Sequence, residues 1–179
     1  MSTMWATPKD DPRTYGDPVG ELATYREYLD NYRLTITMTC QGLDADQLAG
    51  RSVPPSTLSL IGLVRHLAQV ENHWFQRALQ GRVDKPRLDQ RDGAPDWDFD
   101  GATPDPAVVK DAFATWQAEI AKADQWLDAV KEADLGAEVP FGDGSLAPRD
   151  VLVHLIQEYA RHAGHADLLR ECIDGRTGQ

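Results

Sequence analysis

Residues 145–172 read SLAPRDVLVHLIQEYARHAGHADLLREC. Taken as a helix opening near Pro148, the stretch carries a seam in alternating steps of four and three residues: Val151, Leu155, Glu158, His162, His165, Leu169 and Cys172. Such spacing lines these positions along one face. The ends of the seam are apolar, whereas its middle holds a carboxylate and, one helical turn later, an imidazole. Burying that pair costs free energy unless a partner satisfies both groups. A divalent cation is a partner that suits them, and the rest of the chain is read for the same chemistry.

Three more segments repeat at the helical period. Leu22, Tyr25, Leu29, Tyr32, Ile36, Cys40 and Leu43 define a first helix between Gly20 and Leu43. After a break at residues 42–60, where Asp44 or Ser56 can cap a helix, a second runs from about Thr57 to Leu79, with Gly81 as its stop. His66 lies in its LVRHLAQVE stretch between Leu63, Leu67 and Val70, and so faces inward. The third, opened by Pro106, runs to about Ala133 through Val109, Phe113, Trp116, Ile120, Ala123, Leu127 and Val130. Ahead of the fourth, EVPF reads as a short extended piece and GDG as a tight turn.

Four long amphipathic helices, with two short links and one long one, predict an all-α fold, a four-helix bundle with a long connection between the second and third helices. Residues 20–175 form the bundle domain, preceded by an extended, proline-rich arm at 1–19 whose Trp5 and Tyr15 are expected to pack on a protein surface. The long connection, residues 82–106, holds DWDFDG, with Trp97 expected as its anchor and as part of a cover over one end of the bundle. TLSLIGLVRHLAQVE and SLAPRDVLVHLIQEY align without gaps, which sets His66 opposite His154 and suggests two related hairpins.

Composition narrows the function classes. A chain of 179 residues that is 41% apolar and 26% charged is ordinary for one globular domain. A net charge of −11 argues against a nucleic-acid or anionic-membrane partner, because phosphate binding needs clustered Lys and Arg. No apolar run reaches the length of a membrane span, and MSTMWATPKDDPR lacks the apolar core of a signal peptide, so a cytoplasmic location is expected. Cys40 and Cys172 fall on apolar seams without CxxC spacing and are read as buried free thiols.

The candidate constellation joins two helices. Glu158 and His162, at i and i+4, reach one ion from one face, and His66 supplies a third ligand if the second and fourth helices are neighbours. Two imidazoles and one carboxylate leave coordination positions open, as in catalytic zinc sites, and the same set suits iron or nickel. A single histidine on a half-apolar face is more often a hydrogen-bonded core residue than a ligand. The concentration is what raises the metal reading: His66, His73, His154, His162 and His165 are all the histidines, and three of them share one short stretch of one helix. His154 stands where it can replace Glu158 or hydrogen-bond to it, and His165 where it can move a proton or touch substrate. Arg161 is read as solvated or paired with Glu158 or Asp167.

LVRHLAQVE and EYARHAGHADLLRE resemble the DinB/YfiT-like superfamily of four-helix-bundle metalloenzymes over roughly residues 20–175, and within it the actinobacterial branch of mycothiol-dependent maleylpyruvate isomerase and thiol S-transferases. Many members carry a histidine on the second helix and HxxxH on the fourth. Here Glu158 stands in place of the first histidine of that pair, similar to the His, Glu, His set of the isomerase-like branch. The resemblance implies a divalent metal, usually zinc or nickel, at His66, Glu158 and His162. It also implies a low-molecular-weight thiol such as mycothiol as cosubstrate, with a small electrophile as its partner. On this resemblance, a long C-terminal extension such as that of the isomerase is not expected. A metal-dependent hydrolase and a non-catalytic helical interaction protein remain the alternative readings, and the aromatic arm leaves a homodimer open.

Overall fold

The computed structural model describes residues 9–84, 87–88 and 96–178. Four long helical segments dominate: α1 (Glu21–Cys40), α3 (Leu60–Glu71) continued by a π-helical turn (Asn72–Ala78), α5 (Pro106–Ala129) and α6 (Pro148–Asp174). Short elements join them, namely α2 (Ala45–Ala49), α4 (Trp97–Asp100) and a hairpin of β1 (Val139–Phe141) with β2 (Gly144–Leu146). The all-α bundle and its long connection between the second and third long helices are therefore as expected. α1 lies chiefly against α6 and α3 against α5, while α3 also faces α6. No helix among the described residues is long and apolar enough to cross a membrane.

Local chemistry explains most of the boundaries. Gly20, at φ 97°, turns the chain into α1, and the Glu132 carboxylate accepts from Leu22 N–H at 3.1 Å to satisfy that exposed end. Asp44 and Gln47 close a capping box around α2. The cap of α3 is Ser59, whose Oγ accepts from Gly62 N–H, rather than Ser56, and α3 accordingly opens at Leu60 rather than Thr57. Pro106 and Pro148 sit in the first turns of α5 and α6, and Gly175, at φ 76°, ends α6. EVPF does supply a strand: Val139 pairs with Leu146 and Phe141 with Gly144 around Gly142 at φ 58°. The second helix departs from expectation in its last part, where the seven residues after Glu71 wind as a π-helix.

The core runs the length of the bundle through Leu29, Ile36, Leu60, Ile61, Leu67, Phe75, Trp116, Leu127, Leu155, Tyr159 and Leu169. Inside it lies a polar cluster. Arg33 Nε and Nη2 donate to the two oxygens of Glu71 at 2.9 and 3.0 Å, Tyr159 Oη donates to Glu71 at 2.7 Å, and Trp116 Nε1 donates to Tyr159 at 2.9 Å. Arg170, buried on α6, donates to Thr39 and Gln41 carbonyls and so caps the C-terminal end of α1.

One expectation needs correction: Cys40 is buried, but Cys172 is exposed. The arm, of which residues 9–19 are described, is tied to α1 by reciprocal bonds between Thr14 and Asn31 and by Arg13 Nη1 donating to Thr35, while Tyr15 is 75% exposed on this chain. Trp5 lies outside the described residues.

Candidate metal centre

α6 carries Glu158 and His162 toward α3, and α3 carries His66 toward α6. Ligand-type atoms of these three residues all lie within 4.8 Å of one another. His162 Nε2 is 3.4 Å from Glu158 Oε2, and the His66 and His162 rings meet edge to face with centroids 4.8 Å apart. His66 and Glu158 are half-buried and His162 is buried. The helical period brought Glu158 and His162 together, and the packing of α3 on α6 added His66.

Each imidazole has one nitrogen already engaged. His66 Nδ1 lies 2.8 Å from Asp98 Oδ2, which leaves Nε2 for another partner. His162 Nδ1 lies 3.3 Å from His165 Nδ1, which leaves Nε2 on the Glu158 side. Burial, reinforced by the neighbouring His66, pushes the His162 imidazole down to about 4 against the opposing pull of Glu158, so it is neutral near pH 7 and keeps a lone pair to donate. Glu158 is approached by His154 Nε2 at 3.9 Å and by exposed Arg161 at 3.6 Å, both longer than a hydrogen bond.

This donor set fits a divalent ion. Bonds of about 2.1 Å to a tetrahedral ion set donors roughly 3.4 Å apart, and the widest spacing here closes to that if the facing side chains each turn inward by less than about 1 Å. Two imidazoles and a carboxylate are ligands for zinc, iron or nickel and leave at least one position open.

A cleft of about 280 Å³ opens beside His66, lined also by Val70, His73, Trp74, Asp98 and Phe99. His73, seven residues after His66, shares it. Trp74 meets His154 edge to face at 4.8 Å on one side and Phe141 of the hairpin at 5.9 Å on the other. The long connection contributes differently from expectation. Trp97 sits beneath the Arg65 guanidinium at 5.7 Å, and the contacts to the site come from its neighbours: Asp98 bonds His66, and Phe99 stacks on the His66 ring at 5.4 Å. Sequence reading missed Asp98, whose only signal was an acidic residue between two aromatics in a long loop.

Two imidazoles and a carboxylate converging from facing helices are an arrangement that bundle proteins holding a metal between helices also use. The family model described as mycothiol-S-transferase matches residues 24–175, and the chain belongs to that family. Among solved structures, it is similar to a conserved protein from Enterococcus faecalis, with a TM-score of 0.65 at 17% identity, over 88% of this chain and 99% of that one. That likeness concerns the fold. No curated protein matches the chain.

Proposed function

We propose that the protein is a metal-dependent thiol S-transferase or isomerase that uses a low-molecular-weight thiol such as mycothiol, with His66, Glu158 and His162 holding a divalent ion, zinc first and nickel or iron next. The observation that carries this reading is the convergence of the three side chains, across two helices, in a chain of the mycothiol-S-transferase family. A bound ion lowers the pKa of a coordinated thiol, so that thiolate is available at neutral pH. The chain's own residues do the rest. His165 holds His162 through the Nδ1 contact. His154, half-exposed and next to both Glu158 and Trp74, carries the thiol proton to solvent. The cleft between Trp74 and Phe99 seats a small electrophile, whose carbon forms the new bond to sulfur either as its bond to a leaving group breaks and that group departs with the electron pair, or as the electron pair of its double bond moves to the neighbouring atom, which takes up a proton from solvent. Neither cysteine of the chain takes part.

The first test is metal content of protein purified without a histidine tag and reconstituted with zinc. About one equivalent is expected, and less than about a tenth of an equivalent sinks the proposal. His66→Ala, Glu158→Ala and His162→Ala should each lose the ion with helical content retained, and Cys172→Ala should keep it. If His154→Ala loses the ion and Glu158→Ala does not, the ligand set is displaced by one turn. Conversion of an electrophile should require added thiol; turnover without thiol would make the protein a hydrolase instead.

A further inference from the structure

α3 grips the long connection with two consecutive side chains. Arg65 donates from Nε to the carbonyl of Asp98 at 2.8 Å and from Nη2 to the carbonyl of Trp97 at 2.8 Å. His66, the next residue, meets the Asp98 carboxylate at 2.8 Å. Asp98 is only 7% exposed, although it sits on a helix of four residues in an acidic loop. Phe99 covers the other side of the His66 ring. Close approach is built in at both ends: a Cβ on Gly62 would lie 2.9 Å from the Phe99 ring, and a Cβ on Gly101 would lie 2.6 Å from Arg65 Nη2. α4 is therefore seated by backbone contacts, and its one buried carboxylate is delivered to one atom of one histidine.

A buried carboxylate on a histidine nitrogen has a definite electronic consequence. Because the carboxylate only accepts, the proton of neutral His66 stands on Nδ1, and the lone pair is left on Nε2. The ring is also held against rotation.

We propose that Asp98 is a positioning residue for His66 as a metal ligand: it fixes the Nδ1–H tautomer and the ring orientation, with Arg65 setting the place of the carboxylate. The inference rests on the reading of His66 as a ligand given above. Its consequence is that a segment 32 residues away in sequence, without a ligand of its own, sets the affinity of the centre.

The test titrates zinc into metal-free full-length protein in competition with a chromophoric chelator. Wild type should bind one equivalent. Asp98→Ala should bind 10 to 100 times more weakly, the range expected on removing such a partner. Asp98→Asn, which keeps an acceptor but loses the charge, should fall between the two. Nitrogen NMR of the metal-free protein supplies a readout that a merely structural role would not move. His66 should carry its proton on Nδ1 in wild type and shift toward Nε2 in Asp98→Ala, with the melting curve confirming that the variant is folded. Wild type that binds no zinc sinks the metal-ligand reading and this one with it. Wild type that binds zinc while Asp98→Ala binds within twofold of it overturns this inference alone, as does an Nε2–H tautomer in wild type. Arg65→Gln should weaken zinc less than Asp98→Ala. The reverse order would place the effect in the seat of the loop rather than in the carboxylate, and would also overturn the proposal.

Discussion

Cys40 and Cys172 both stand on apolar seams of their helices, yet they end in opposite environments. Burial pushes the Cys40 thiol up to about 12, which leaves almost no thiolate near pH 7, while Cys172 is exposed near the end of α6. The seam Val151 to Cys172 advances by 3.5 residues per turn, whereas a straight helix turns every 3.6, so the two drift apart by about 20° per heptad. Across three heptads the buried stripe has moved to Ala166, Leu169 and Arg170, and Cys172 has left it. A thiol reagent such as dithionitrobenzoate should therefore titrate one thiol per chain in the native protein and two in denaturant; two in the native state would mean that Cys40 is accessible. The same comparison tells what a sequence can carry at this scale. Glu158 and His162 were legible because they lie one turn apart in the middle of the helix, where drift is small. His66 was legible through its apolar neighbours Leu63, Leu67 and Val70. Asp98 was not, because loop residues have no periodicity, and only the folded path of the connection brings it to His66. His154 separates catalysis from metal binding: on the proposed role, His154→Ala should lower kcat at least about 100-fold while zinc content stays at one equivalent, and loss of zinc would instead make it a ligand.

At the scale of elements, the site depends on how α3 meets α6 and α4. The sequence pattern carried the helices themselves, since apolar residues recur at the helical period and caps or prolines mark most ends. It did not carry the π-helical turn at Asn72–Ala78, for which the residues show no local signature; bulges of this kind recur at functional sites. Here it holds His73 and Trp74 on the cleft wall, with Phe141 of the hairpin packed against both. The seat of α4 is the other unforeseen contact, and it is tight enough to test. Gly101 has an ordinary φ of −84°, so alanine there is not strained by backbone, but its Cβ would crowd Arg65 Nη2 at 2.6 Å and the Trp97 carbonyl at 2.8 Å. Gly101→Ala should cost about 1–3 kcal/mol by overpacking, seen as a lower midpoint in urea unfolding. An unchanged midpoint would mean that α4 is not held by the Arg65 contacts.

Across the whole molecule, the candidate metal centre and the buried Arg33–Glu71–Tyr159 cluster share α3 and α6, with Arg33 reaching into the cluster from α1. Glu158 looks toward His66, and the adjacent Tyr159 donates to Glu71, five residues along α3 from His66. The cluster is fully formed by protein groups: Glu71 is 0% exposed and accepts from both Arg33 and Tyr159. Glu71 holds the Arg33 guanidinium charged against the cost of its burial, and burial, joined by the repulsion of the Glu71 carboxylate for a phenolate, pushes the Tyr159 phenol well above its usual range. The bundle therefore has its own polar core, independent of any ion, and metal removal should leave helical content intact while lowering Tm, since an ion that binds only the folded state adds stability by mass action. Breaking the cluster should destabilise the bundle whether or not an ion is bound. Arg33→Met leaves the Glu71 carboxylate buried without its cation and should cost about 3–5 kcal/mol. Arg33→Met combined with Glu71→Gln removes the stranded charge while keeping an acceptor for Tyr159, and should recover a good part of that loss. Urea unfolding of the three proteins, each measured with chelator and with zinc, reads both effects. A double variant no more stable than Arg33→Met would mean that the guanidinium contributes through packing along its stem rather than through pairing with Glu71. A chelated wild type that loses its helices would mean that the ion, not the cluster, organises the bundle.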